Sequence, residues 1–495
     1  MLFSFFRILT YVLGIVGTSM LLPVAVAAAE GEFAALPAFL APMLAGWVAA
    51  VSFYLKARGR PKVLDVRHAF GVVGGIWVAI CLFGALPLYF SGAFPSVVDA
   101  VFESVSGFTT TGVSACPDVE SLPACVNLWR CETHWLGGLG VIALAVALIP
   151  LLGVGGFRMI KAETTGPDKE KLTVLIANTA KTLWAIYMAF TAVQAVVLWR
   201  LGLGFAEALA HAFSTMGTGG FSTRNASVGA FGIPAVEWTC TAFMLVASVN
   251  FAIYYRILTG RFSEVRRDSE LKTFALVVAA AVAAVAAIRF EGPGGFADTF
   301  RDSAFQVASI VSTTGFMTSD YQTWHPGAQA IVFALFAVGG CSGSTAGGIK
   351  VVRWTILAKQ LRNEFKRMLH PHEVFTLTLN GVPGREVFVP AVASFVFVYA
   401  ILVLATTFAG ALAGLDVFTA LTAALSMVGN VGPAFGSLGP SANCSAVAAP
   451  LKVFYAFAML AGRLEIYTLL ILAGRAFMSR RMHADGQAAG GVRRD

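Results

Sequence analysis

Four stretches of the chain align on a single glycine: SGFTTTGVSA (106–115), STMGTGGFST (214–223), SIVSTTGFMT (309–318) and SMVGNVGPAF (426–435). The anchors are Gly112, Gly220, Gly315 and Gly432. Anchoring them brings into register columns it does not impose: a serine six residues earlier (Ser106, Ser214, Ser309, Ser426), and Thr110, Thr218, Thr313 and Asn430 two earlier. Such loops suit one kind of chemistry. A cation stripped of water needs fixed oxygens in place of its hydration shell, and rings of backbone carbonyls supply them. Aiming successive carbonyls at one axis demands backbone angles that glycine reaches without steric cost. The expected coordinating segments are Thr110, Thr111, Gly112 and Val113; Thr218, Gly219, Gly220 and Phe221; Thr313, Thr314, Gly315 and Phe316; and Asn430, Val431, Gly432 and Pro433. Asp99, Glu207, Asp302 and Thr419, thirteen residues before the anchors, are expected in the first turns or caps of short helices. The negative C-terminal ends of those helices would face the cation.

A second string, GGCSGSTAGG at 339–348, holds five glycines in ten residues and no bulky side chain. A helix loses about 1 kcal/mol per glycine relative to alanine, so the apolar segment around it should break here. By topology the break falls in the inner half of a membrane, below the third loop. A small polar strand there could occlude a pore, with Lys350 adding positive charge near the exit; a plain hinge is the alternative. A phosphate loop is excluded, because GxxxxGK[ST] needs lysine directly after Gly348 and Ile349 stands there. The expected gate residues are Gly339, Gly340, Gly343, Ser344, Thr345, Gly347, Gly348 and Lys350. Arg463 lies inside an apolar run (451–477), where a charge is costly and usually faces a cavity or a partner. Glu465 is two residues away and so points elsewhere on a helix. Glu103, His211, Gln306 and Ala423 share one repeat column and read as pore-helix residues bonded near the external mouth, with a role in proton or sodium coupling as the alternative. His134 opens a helix and reads as interfacial. No unpaired intramembrane carboxylate stands out.

Membrane-spanning helices must position these residues. Of the 495 residues 57% are hydrophobic and 13% charged, against roughly 25% charged in soluble domains. Apolar segments lie near 8–29, 34–55, 69–90, 135–156, 182–203, 235–258, 273–290, 328–358, 387–413 and 451–477, most close to the roughly 20 residues a span requires. No β-barrel alternation is visible. Four shorter stretches beginning near 97, 205, 297 and 416 fit re-entrant loops, which membranes tolerate where backbone lines a watery cavity. Basic residues gather at 56–68, 157–181, 256–272, 350–372 and 475–494. The positive-inside bias therefore puts both termini in the cytoplasm and explains the net charge of +8 without nucleic acid. The AVAAAE string at 25–30 resembles a signal-peptide end, but the apolar stretch before it can span, and its retention is expected. Seven scattered cysteines lack a CxxC pair, so zinc is not indicated; Cys116, Cys125 and Cys131 share one loop in which a disulfide is permitted. An embedded enzyme is excluded by the lack of a nucleophile–base or metal constellation, HExxH or GxSxG. A scaffold would not require four matched loops.

At these residues the chain resembles the superfamily of potassium transporters that includes the bacterial TrkH/TrkG and KtrB proteins. TTTG, GTGGFST, STTGF and NVGP are similar to that family's four filter loops. GGCSGSTAGGIKVVR (339–353) is similar to its intramembrane loop, and MLAGRLEIYTL (459–469) to its last helix. The extra helix pair before residue 60 favours the TrkH branch. The resemblance implies an all-α polytopic fold of four pseudo-fourfold repeats, each an outer helix, a re-entrant pore loop and an inner helix. The expected boundaries are an N-terminal helix pair (1–60), repeats at 61–165, 166–265, 266–372 and 373–480, and a cytoplasmic tail (481–495). It further implies potassium uptake across the bacterial inner membrane, no bound cofactor, a homodimer with one pore per subunit, and a cytosolic nucleotide-binding regulatory subunit of the TrkA type. A Na⁺- or H⁺-coupled symporter is the alternative. Arg463 would hold the glycine-rich loop across the pore; an arginine that reaches an interface or pairs with another helix is the alternative. Pro433, where the other repeats have Val113, Phe221 and Phe316, makes four identical rings unexpected. Only the third repeat is expected to carry a broken inner helix, and only the fourth an arginine.

Overall fold

The computed structural model describes residues 2–57, 66–152, 169–290, 292, 295–370, 372–373, 375–376, 378–380, 382–383 and 388–464. The expected tail (481–495), the last-helix residues from Glu465 onward, and the repeat boundaries near 61 and 165 lie outside the described residues.

Among the described residues the chain is all-helical apart from loops and a two-residue hairpin, Thr378–Leu379 against Val382–Pro383. Six described helices are long and apolar enough to cross a membrane: Phe5–Glu30, Phe33–Lys56, Gly71–Phe90, Ala180–Arg200, Ser269–Ile288 and Val389–Leu412. The N-terminal pair packs through small residues. A Cβ on Gly46 would lie 2.9 Å from the Leu13 carbonyl oxygen, and one on Gly14 would lie 2.9 Å from the Ala50 methyl, so the backbones approach as membrane helices do without a hydrophobic drive. The largest core cluster links this pair through Phe39 and Trp129 to Phe108, and onward to Tyr455 of the helix Ala449–Arg463.

One expected span is not continuous. The apolar segment at 235–258 forms two helices, Pro234–Ser248 and Phe251–Leu258, bent by 92°. The third repeat is therefore not alone in carrying a broken inner helix. Uniform apolarity hid the break. Asn250 makes it: its side chain accepts from the Ala252 N–H at 2.9 Å and caps the second piece. The segment at 328–358 breaks as expected, into Pro326–Leu335 and Val351–Leu369.

Four short helices, buried along most of their length, lead into the glycine-anchored loops: Val97–Phe108, Phe205–Gly217, Phe296–Val311 and Val417–Gly429. All four end alike. Thr110, Thr218, Thr313 and Asn430 take left-handed φ values of 55°, 54°, 56° and 54°. The N–H groups of Thr111, Gly219, Thr314 and Val431 then reach back to the carbonyls of the aligned serines at 2.9, 2.8, 2.9 and 3.0 Å. This closure is a Schellman motif, built on β-branched threonine in three cases where glycine is usual. Such strain costs of order 1–3 kcal/mol per residue and persists where surrounding packing over-determines it. Asp99 and Glu207 lie in first turns as expected. Asp302 does not: its helix starts at Phe296, one turn earlier, and Asp302 pairs with Arg289 at 3.7 Å. The Thr419 N–H is itself capped by Asp416 at 3.0 Å.

Candidate functional site

The four loops meet in a closed ring. Gly112, Gly220, Gly315 and Gly432 have φ of 83°, 87°, 81° and 108°, the region open to glycine. Each also lies against the next loop. A Cβ on Gly112 would sit 1.8 Å from the Gly219 oxygen, on Gly220 2.1 Å from that of Thr314, on Gly315 2.4 Å from that of Val431, and on Gly432 2.8 Å from that of Thr111. In every case the oxygen belongs to the residue just before the neighbouring anchor, so the contacts run first to second to third to fourth and back to first. All four anchors line one open cavity, together with Val113, Phe221 and Pro433. The ring is not fourfold in detail. The Ser309 and Ser426 hydroxyls donate to the Phe316 and Gly432 carbonyls, each at 2.6 Å, whereas the buried Ser106 and Ser214 hydroxyls find no partner.

Polar side chains brace the loops from behind. The column of Glu103, His211 and Gln306 bonds the segment after each anchor: Glu103 accepts from the Ala115 N–H at 2.7 Å, His211 Nε2 meets Ser222 Oγ at 2.9 Å, and Gln306 donates to the Ser319 carbonyl at 3.0 Å. Ala423 cannot, and its neighbour Thr422 accepts from the Phe435 N–H at 3.1 Å instead. Glu103 also pairs with Arg130 at 2.7 Å, both fully enclosed. Arg130 in turn bonds Asn127 and the Ser222 carbonyl and lies 4.4 Å from the centre of the Phe221 ring, as a buried ion pair requires for its remaining donors. At the mouth, the Asn225 amide donates to Asp118 at 2.7 Å and accepts from the Val119 N–H at 2.9 Å. The Asn225 bond holds the Asp118 carboxyl below its usual range.

His134 is not interfacial. It is wholly buried against the second loop. Its Nδ1 bonds the Gly107 carbonyl at 2.7 Å, Nε2 accepts from the Phe221 N–H at 3.2 Å, and its ring lies 4.2 Å from that of Phe221. The N–H donor at Nε2 assigns the neutral tautomer with the proton on Nδ1. Glycine at 219 leaves room for it, since a Cβ there would fall 2.1 Å from the ring. Its sequence signal is faint: a histidine in an apolar helix, 27 residues from one partner and 87 from the other.

The glycine-rich segment packs under the ring. The Gly347 N–H donates to Thr313 Oγ1 at 2.6 Å, and a Cβ on Gly347 would lie 2.3 Å from the Gly429 oxygen. Thr345 Oγ1 is shared between the carbonyls of Met216 (3.0 Å) and Ala247 (3.1 Å). Residues 345–347 thus touch the ends of the second, third and fourth short helices at once. The break in the second inner helix is their socket: Ser248 O accepts from the Cys341 N–H at 2.9 Å, and the Phe251 N–H donates to Gly343 O at 3.1 Å. Gly339 and Gly348 close the base of the loop, and the Ser344 hydroxyl bonds the Cys341 carbonyl at 2.6 Å. Gly340 accepts from the Val351 N–H at 3.0 Å. The Lys350 ammonium folds back onto the Ala346 carbonyl. Arg463, buried, donates to the Thr345 carbonyl at 2.8 Å and to the Gly137 carbonyl at 3.4 Å. Two acidic residues escaped the sequence reading. Glu270 bonds the flanks of this segment. Glu132 is a buried carboxylate whose Oε2 has no hydrogen-bond partner, and no cation pairs with it among the described residues. Cys116, Cys125 and Cys131 are free thiols.

Comparison with known proteins gives one answer. The chain is 37% identical over 432 residues to the Trk system potassium uptake protein TrkH of Halomonas elongata, covering 86% of this chain and 88% of that one. It is 36% identical over 415 residues to the Escherichia coli K12 protein of the same name, covering 83% and 85%. The crystal structure of the potassium transporter TrkH from Vibrio parahaemolyticus superposes with a TM-score of 0.85 at 31% identity, covering 95% of this chain and 98% of that one. With the family model for TrkH, a cation transport protein, matching residues 41–482, this multi-pass membrane chain belongs to the TrkH family of cation transporters.

Proposed function

We propose that the protein takes up potassium through a channel-like pore whose filter is the ring of four glycine-anchored loops and whose gate is the segment at 339–348. The observation that carries this reading is the closure of the ring, in which each anchor lies against the carbonyl before the next anchor. Carbonyls so presented, at the negative ends of four buried helices, can replace the water of a monovalent cation. The names of the relatives supply potassium as the ion. No cofactor is needed for the ion to pass. The gate reading rests on the contacts of residues 345–347 with three of the four helix ends and on the grip of Arg463, an arrangement suited to an occluded state. Sequence divisions into four repeats and an N-terminal pair follow from the same loops. The distribution of basic residues supports an inner-membrane protein with cytoplasmic termini. A homodimer and a cytosolic nucleotide-binding partner of the TrkA type are carried over from the family.

The test is cation flux in proteoliposomes. Rb⁺ and K⁺ should pass and compete, with Na⁺ much slower; equal fluxes of all three would defeat potassium selectivity, and no flux at all the pore. Glu132 gives a coupled symporter one observation in its favour, since a buried carboxylate without a cation can take a proton or Na⁺. Rb⁺ uptake that depends on an imposed Na⁺ or pH gradient would select that reading.

A further inference from the structure

Residue Glu270 stands in the first turn of the helix Ser269–Ile288, on the side of the molecule where the basic segments gather. Its Oε1 accepts two backbone N–H groups, from Ser342 at 2.6 Å and from Val352 at 3.2 Å. These donors lie on the two flanks of the glycine-rich segment, one inside it and one in the first turn of the helix Val351–Leu369 that follows. Between them the loop is pinched shut, with Gly339 and Gly348 in backbone contact and the Val351 N–H on Gly340 O. A single carboxylate oxygen therefore ties together both ends of the loop that packs under the ring. A loop with five glycines has little stiffness of its own to hold it once these two bonds are cut.

The helix that carries Glu270 is itself anchored away from the ring. Asp268 caps it at the Leu271 N–H (3.0 Å) and faces Arg256 at 3.7 Å. Ser269 donates through its N–H and its hydroxyl to Asn380 Oδ1, at 2.8 and 2.9 Å, from the short hairpin. The carboxylate is only part-buried, so the junction of residues 256–270 with Asn380 is open to whatever acts from that side.

We propose that Glu270 is the latch of the gate: a positioning residue that holds the glycine-rich loop shut from its flanks, so that displacement of the 268–270 turn releases it. Arg463 grips the loop at its tip, and Glu270 grips it at its base. The inference rests on the pore reading above, and its test separates the two. Full-length protein is reconstituted without any partner, and ⁸⁶Rb⁺ flux, the Rb⁺:Na⁺ ratio and the alkylation rate of Cys341 by N-ethylmaleimide (followed by peptide mass spectrometry) are measured for wild type, Glu270→Ala and Glu270→Gln. Cys341 lies within the loop and is buried, which makes it a reporter of release that does not depend on conduction. The Ala variant should raise Rb⁺ flux by roughly tenfold or more, with the Rb⁺:Na⁺ ratio unchanged and Cys341 alkylated faster. The Gln variant, with a neutral acceptor in the same place, should show a smaller rise in both. Wild-type or slower flux together with a protected Cys341, in protein that elutes like wild type, overturns the latch. So does a rise in flux accompanied by a lost Rb⁺:Na⁺ preference, which would mark general loosening. If Glu270→Ala does not assemble, the Gln variant carries the same readouts. If wild type conducts no Rb⁺, the pore reading falls, and Cys341 alkylation alone still decides for or against the latch.

Discussion

On the proposed gate reading, replacing Arg463 with alanine should open the closed state. In the structure its guanidinium makes one good bond, to Thr345 O at 2.8 Å, and one weak one, to Gly137 O at 3.4 Å. A hydrogen bond from a charged donor contributes about 1.5–3 kcal/mol, and the 3.4 Å contact lies at the long end of useful geometry. Truncation leaves the Thr345 carbonyl unpaired in the occluded arrangement, whereas a released loop can expose it to water. The closed state thus loses roughly 1.5–3 kcal/mol relative to the open one, and at about 1.4 kcal/mol per decade this is a 10- to 150-fold shift. Basal ⁸⁶Rb⁺ flux without a partner should rise by up to that factor, limited by the flux of the fully open pore. A second effect works in the same direction, since a buried positive charge near the path repels a cation. Arg463→Gln separates them: it removes the charge but keeps an N–H donor. If the bond to Thr345 dominates, the Gln variant stays near wild type; if repulsion dominates, it matches alanine. Unchanged or reduced flux for Arg463→Ala, in protein that elutes and melts like wild type, would refute the reasoning.

The remaining predictions concern the ring and its supports. Gly112→Ala should abolish Rb⁺ flux in inserted protein, because its Cβ would fall 1.8 Å from the Gly219 oxygen; Gly432→Ala, at 2.8 Å from Thr111 O, should leave more residual flux, and the reverse order would count against the ring geometry. Ser309→Ala and Ser426→Ala should lower the Rb⁺:Na⁺ ratio by freeing two loop carbonyls, while Ser106→Ala and Ser214→Ala, whose hydroxyls have no partner, should leave it unchanged. His134→Ala strands the Phe221 N–H and the Gly107 carbonyl and should destabilise the protein by about 2–4 kcal/mol in denaturant or thermal melts. Asp118, held below the usual carboxylate range by Asn225, lends its mouth contact in full above the unfolded value and loses it as pH falls through the lowered one; Asn225→Ala should remove the part of any acid-induced loss of stability that this contact supplies.

Local order made much of the site legible. The Schellman closure needs only the serine, the left-handed residue and the anchor within seven positions, so each loop carries its own instructions and the chain repeats them four times. The break at 339–348 was legible for a similar reason, since five glycines cannot continue a helix in any context. The break at 249–250 was not. Valine and asparagine within an apolar run look like a continuous span, and besides the Asn250 cap the break is held by the Cys341 and Gly343 backbone that fills it, some 90 residues away. The same holds for His134 and Glu270. Each is one polar residue with no local partner, and each gains its role from backbone groups that folding brings to it.

The sequence by itself determined a membrane bundle, four loops able to turn carbonyls toward an axis, and a flexible segment in the third inner helix. Those follow from composition and from short-range backbone conformation, which neighbouring residues dictate. Only the tertiary structure decided that the loops close on one another in order, that the flexible segment rests beneath them in the break of the preceding helix, and that one arginine and one glutamate grip its tip and its base. Those depend on which free carbonyls and N–H groups meet across distant helices. No local spacing encodes such meetings, and in a bundle with few charged side chains they are settled by the need of backbone N–H and carbonyl groups freed at helix breaks and ends to find partners inside the protein.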